Sequence, residues 1–198
     1  MRIAALLVPL LLLASPALAV PGPPPGWSVA GKTPDAYLIG TNPAPGASGK
    51  QAAYIKAKPE ASDDSWGMLI QCIKPDNYIG QRLRFAARLK TVNASAAQLF
   101  MRVDGGPLVD GRPSKMLGFY NMMDRPLRGT ADWQGADVVL DVPVGSLRIC
   151  YGITLNGGRG EAWADGLSLA KVGKEVAVSK FPPPPPPATI PTNLGFDR

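Results

Sequence analysis

Apolar and polar residues alternate with a period of two through most of the middle of the chain. In residues 82–90, Leu83, Phe85, Ala87 and Leu89 fall on one side, and Arg82, Arg84, Arg88 and Lys90 on the other. Residues 98–104 set Leu99, Met101 and Val103 against Gln98, Phe100, Arg102 and Asp104. Residues 137–142 set Val138, Leu140 and Val142 against Asp137, Val139 and Asp141. The most regular run is 147–155, where Leu147, Ile149, Tyr151, Ile153 and Leu155 share a side. Successive side chains of an extended chain point to opposite faces, so each run predicts a strand with one buried face. Weaker alternation predicts further strands over 52–56, 68–74 and 161–170. Turn-forming residues separate them: Pro75-Asp76-Asn77, Asp104-Gly105-Gly106, Pro143-Val144-Gly145 and Asn156-Gly157-Gly158. No helical period runs longer than two turns. Strands of this kind bury their apolar sides by packing sheet on sheet, at about 25 cal/mol per Å2 removed from water. The prediction is an all-β fold, an antiparallel β-sandwich of jelly-roll type.

The ends of the chain depart from this pattern. Residues 1–19 read as a secretory signal peptide: Arg2, an apolar core from Ile3 to Leu13 broken only by Pro9, then Ala17-Leu18-Ala19 before the expected cut. The apolar run is too short for a hydrocarbon span and no second one follows, so the reading is a periplasmic or secreted protein without a transmembrane segment. Residues 20–26 form a Pro/Gly-rich leader, and 27–181 the β-sandwich domain. Residues 182–198 form a Pro-rich tail, expected to be disordered, opening with six prolines that suit a polyproline II spacer.

Removal of the signal peptide takes Arg2 from the 21 basic residues and none of the 15 acidic ones, so the formal charge falls from +6 to +5. The surplus is spread along the chain, which predicts a mildly basic surface, and export argues against a nucleic-acid partner. Cys72 and Cys150 are the only cysteines. An oxidising compartment permits a disulfide between them, but both lie in strand-like runs where buried thiols are equally at home.

The chain has no histidine. That excludes Ser-His-Asp and Cys-His catalysis, His-rich zinc sites and the commonest general base near neutral pH. Gly157-Gly158-Arg159-Gly160 lacks the lysine and following helix of a phosphate loop and reads as a hairpin turn. Paired carboxylates suffice for glycoside hydrolysis, with Asp104, Asp124, Asp132 and Glu161 as candidates, though each has an ordinary structural role available.

Several segments together resemble a bacterial domain family: Gly67-Met68-Leu69-Ile70-Gln71, Tyr78-Ile79-Gly80-Gln81-Arg82-Leu83-Arg84-Phe85, Leu89-Lys90-Thr91 and Phe100-Met101-Arg102-Val103-Asp104-Gly105. Asn121-Met122-Met123-Asp124-Arg125-Pro126, Gly129-Thr130-Ala131-Asp132-Trp133, Val139-Leu140-Asp141-Val142-Pro143 and Ala162-Trp163-Ala164-Asp165 continue the resemblance over most of 27–172. That family is similar to galactose-binding-like jelly rolls, the architecture of many carbohydrate-binding modules. Members are often labelled transcriptional regulators, since the domain accompanies a DNA-binding one. The export signal, and the lack of room for a helix-turn-helix, argue against carrying that label over.

The resemblance implies the fold; the functional reading, from the residues themselves, is a non-catalytic binding module whose ligand is carbohydrate or glycan. Sugars are held by aromatic faces and planar polar side chains. Phe119, Tyr120, Asn121, Arg125 and Trp133 supply these types close together in sequence, Arg102 and Asp104 lie on the strand feeding that segment, and Gln71 completes the set. Asp165 is similar in position to the structural calcium ligand of several such jelly rolls, with Asp35 and Asn42 as partners; no other cofactor is implied. The alternatives are an envelope module for a protein partner, spaced by the Pro-rich tail, and a carboxylate-dependent glycoside-processing enzyme.

Overall fold

The structure is a computed structural model that describes residues 20–44, 46–48, 51–187 and 189–195; the predicted signal, 1–19, lies outside them. Ten strands follow in order: β1 Val20–Pro21, β2 Ser28–Gly31, β3 Tyr37–Asn42, β4 Ala52–Ala57, β5 Trp66–Ile73, β6 Arg82–Val109, β7 Arg112–Tyr120, β8 Leu127–Asp141, β9 Ser146–Asn156 and β10 Glu161–Val172. Among the described residues the only helix is a 3-10 turn, Pro34–Ala36, and no helix is long and apolar enough to cross a membrane.

All pairings are antiparallel. Strand β6 belongs to both layers. Its first part, from Arg82 to Val92, lies between β10 and β8 in a sheet that continues through β4 and β3 to β1. Its last part, from Ala96 to Gly105, lies between β9 and β7 in a sheet that continues through β5 to β2. The chain turns the corner at Asn93, whose φ of 49° is left-handed. Gly160 packs so closely there that a Cβ would stand 2.3 Å from the Asn93 carbonyl oxygen. Hydrogen bonding thus makes one curled sheet, and curling closes it into a sandwich. The predicted alternation supplies the interior: Leu83, Phe85 and Leu89 face Leu99, Met101 and Val103 across it, with Val138, Leu140, Ile149, Ile153 and Leu155.

Three expectations change. Residues 82–90 and 98–104 are parts of one strand of 28 residues, not two strands. The turn assigned to Asp104-Gly105-Gly106 is not there. The strand runs on, and the hairpin closes at Asp110-Gly111, with φ of 49° and 73° between the paired Val109 and Arg112; that dipeptide fits a tight two-residue turn because both positions need positive φ. Finally, the leader contributes β1, paired with β3 as Val20 to Thr41 and Pro21 to Gly40. At the other end Val178 and Phe181 pack on the core, and Phe181 lies 4.9 Å from the Tyr120 ring. Residues 182–187 are exposed and in no element.

Candidate functional site

The sheet of β2, β5, β9, β6 and β7 presents its outer face as a groove of about 490 Å3. Register explains which side chains line it. Gly67 and Leu69 point inward from β5, so Trp66, Met68, Ile70 and Cys72 point out into the groove. Opposite partners across the ladder form rows: Trp66, Asn156 and Ala96; Met68, Thr154 and Gln98; Ile70, Gly152 and Phe100; Cys72, Cys150 and Arg102, with Phe119 of β7 beyond Arg102. Asn121 follows the end of β7 and joins the lining. The middle row depends on glycine. The Phe100 ring crosses Gly152, where a Cβ would meet the Leu69 carbonyl oxygen at 2.0 Å and Phe100 Cε1 at 3.0 Å.

Phe100 is buried as floor, while Phe119 is 37% exposed on the rim and Trp66 is partly exposed. The Asn156 amide donates to Gln98 Oε1 at 2.5 Å. Among the described residues this leaves the Gln98 amide nitrogen and the Asn156 amide oxygen without a protein partner. At the other end Asp104 has no exposed surface. Its carboxylate accepts from Arg102 Nε at 2.5 Å and from Arg148 Nη2 and Nε at 2.9 and 3.2 Å. The two arginine side chains are 45% and 38% exposed, so the buried carboxylate orients side chains that remain partly open to solvent. Cys72 and Cys150, directly opposed on β5 and β9, form a disulfide with Cα atoms 4.1 Å apart.

Of the residues proposed from sequence, Arg102, Asp104, Phe119 and Asn121 therefore meet in one groove. Asp104 is bonded to the two arginines and is not a free contact. Gln71, Arg125 and Trp133 lie elsewhere. Gln71 accepts a hydrogen bond from the Tyr151 hydroxyl and donates to Gly26 O at 3.1 Å, tying the leader to the sheet. Arg125 donates to the Tyr120 hydroxyl at 3.1 Å and the Asp137 carbonyl at 2.6 Å. Burial, followed by the hydrogen bond to Asp124, raises the Tyr120 phenol above its usual range. Trp133 lies on the outer face of the other sheet, 5.4 Å from the Arg88 guanidinium, beside Tyr54 and Trp163.

Alternation in β6 singled out Gln98 and Phe100, but on a two-sided strand neither face is marked as the ligand side. Trp66 carries no signal beyond its aromaticity, and Arg148 is visible only through its register with Asp104.

Asp165 is buried and accepts from Ser48 N at 2.5 Å and Ser48 Oγ at 2.6 Å, with Arg88 Nη1 at 3.9 Å. These contacts tie Ser48 to the carboxylate and set a cation beside it. No group of three or more His, Cys, Asp or Glu that could hold a metal occurs among the described residues. The candidate catalytic carboxylates are likewise dispersed. Asp124 accepts from the Tyr120 hydroxyl, Asp132 pairs with Lys90, and Glu161 pairs with Lys56 and accepts from Trp163 Nε1. Asp104 is the one carboxylate lining the groove among the described residues.

No protein-family model matches the chain. An uncharacterized HTH-type transcriptional regulator of Bacillus subtilis, YbfP, is 31% identical over 173 residues; the match takes in 87% of this chain and 56% of that protein, so the chain spans little more than half of its relative. Among solved structures, the enzymatically active domain of bacteriophage CBA120 tailspike protein 4 superposes with a TM-score of 0.54 at 12% identity, over 75% of this chain and 20% of that one. The CBM22 xylan-binding domain from Paenibacillus barcinonensis superposes with a TM-score of 0.51 at 16% identity, over 80% of this chain and 98% of that one. The chain shares the antiparallel all-β sandwich fold of these structures.

Proposed function

We propose that the chain is an exported, non-catalytic binding module whose outer-sheet groove, floored by Phe100 and rimmed by Trp66 and Phe119, holds a carbohydrate chain. The single observation that carries this reading is the composition of that groove. Two partly exposed rings flank a shallow trough whose walls end in planar amide and guanidinium groups with free donors and acceptors. Ring faces pack on the C–H surfaces of pyranoses, and planar polar groups bond the hydroxyls. A solved xylan-binding domain of the same fold, covered almost end to end, supports the class of ligand. The lone lining carboxylate, already bonded to two arginines, supports binding over hydrolysis, which needs two carboxyls across a cleft. The predicted signal peptide and the disulfide support a periplasmic or secreted location.

The test is a glycan array probed with the chain, followed by titration calorimetry on the hits. Saturable binding that Trp66→Ala and Phe119→Ala both weaken supports the groove. Binding to no glycan, or binding indifferent to both substitutions, refutes it.

A further inference from the structure

We infer that the arginine end of the groove is a subsite for an acidic sugar, a unit whose carboxylate is gripped by Arg102 and Arg148; this rests on the carbohydrate reading of the same groove. The charged residues lining the groove are Arg102, Arg148 and Asp104. One carboxylate against two guanidiniums leaves a net positive charge there. Arg148 also lines the adjoining depression, where Lys74 adds a second. Elsewhere on the sandwich the cations of the β6 outer face are answered: Arg82 by Asp141, Arg84 by Asp137 and Lys90 by Asp132.

The subsite is built rather than incidental. Asp104 is wholly buried and takes only part of each fork: Nε of Arg102, Nε and Nη2 of Arg148. A guanidinium carries five N–H donors. Among the described residues both Nη groups of Arg102 and Nη1 of Arg148 have no protein partner. The buried carboxylate fixes both side chains in advance, so an arriving anion meets ordered donors instead of mobile ones. A planar carboxylate fits such edges two bonds at a time, which a neutral hydroxyl cannot do. Phe119 stands opposite Arg102 on the ladder and offers a ring face beside the same position. A sugar ring carrying its acid at C6 presents an apolar face and a carboxylate together.

The experiment titrates the chain with matched pairs of oligosaccharides: uronate oligomers and the same oligomers after carboxyl reduction, with a sulfated glycan and polyglutamate alongside. A pair of charge-assisted hydrogen bonds predicts that the acid form binds at least about tenfold tighter than its reduced partner. The preference shrinks as salt rises, and it falls to about threefold or less in Arg148→Gln and in Arg102→Gln, each checked for an unchanged melting profile. Equal affinity for acid and reduced forms overturns the subsite while leaving the sugar groove standing. So does an acid preference untouched by both substitutions, or tighter binding of the sulfated glycan. Binding to polyglutamate with no binding to any sugar overturns both readings.

Discussion

Replacing Cys72 and Cys150 together by serine should cost this domain more stability than any change to a surface charge. The bridge joins residues 78 apart. In the chain-entropy account, closing a loop of that length removes about 15 cal/mol/K from the unfolded ensemble, about 4.5 kcal/mol at 25 °C. Native disulfides typically deliver about 2–4 kcal/mol, and β5 and β9 are already held in register from Trp66 to Ile73. An expected loss of about 3–4 kcal/mol follows, and for a domain of this size it lowers the melting temperature by roughly 6–16 °C. The assay is urea unfolding of three samples: oxidised wild type, reduced wild type and the double-serine variant. The mechanism acts on the unfolded chain, so reduction should also steepen the denaturant dependence as that chain expands. A difference below about 1 kcal/mol between oxidised and double-serine samples, with equal slopes, refutes the reasoning. The bridge would then be a local fastener of two strands that hold without it.

Phe119→Ala, on the rim, should weaken glycan binding about tenfold while leaving the melting temperature within a few degrees, as titration and thermal unfolding on one preparation would show. Arg125→Ala should do the reverse, costing about 1–2 kcal/mol through the lost bonds to Tyr120 and Asp137 with no change in glycan affinity. Hydrogen bonds from Arg82 and then Lys174 hold the Asp141 carboxyl down at about 2. Its folded value lies below its unfolded one, so its contribution is complete above about pH 4 and is lost as pH falls through about 2. Because Asp141 is partly exposed, solvent screening reduces that contribution to about 1 kcal/mol, and Asp141→Asn should flatten the acid limb of a stability–pH curve by that amount.

The parts of the fold legible in the sequence were those with a regular period. Leu83 to Leu89 and Ile149 to Leu155 bury the faces that alternation assigned to them. The corner at Asn93 was not legible, because a strand that changes sheets keeps its pairing partners only in part and its local pattern blurs. Asp104-Gly105-Gly106 misled for a related reason. Aspartate before two glycines is ordinary turn chemistry, yet here a buried carboxylate bonded to two arginines holds Asp104 in the ladder. At the site, Arg125 and Trp133 were grouped with Asn121 by closeness in sequence. Across a hairpin, nearness along the chain says little about which face a side chain takes. Register decides that, and it placed Asn121 on the groove and Trp133 on the opposite layer.

The two outer faces differ in how far their side chains are committed to protein contacts, and that difference is why the proposed site is placed on one of them. On the layer holding β4, β10 and the first part of β6, aromatic residues are present but committed. Tyr54 and Trp163 pack together at 5.4 Å, Lys56 sits 4.8 Å above the Trp163 ring, and Arg88 bonds to Gly46 O while lying near Trp133. Asp165 fastens Ser48 beside them, so a ligand there would first have to displace protein contacts of equal quality. On the layer holding β5, β9 and the last part of β6, Gly152 lies under the buried Phe100 and Asp104 under the two arginines, while the side chains of Phe119, Arg102 and Arg148 stay partly open to solvent. Rigid support from below with unmade bonds above is what a preorganised site requires. The polar side chains that a packing argument would count as a cost on a strand face are, on this layer, the groups left for a ligand.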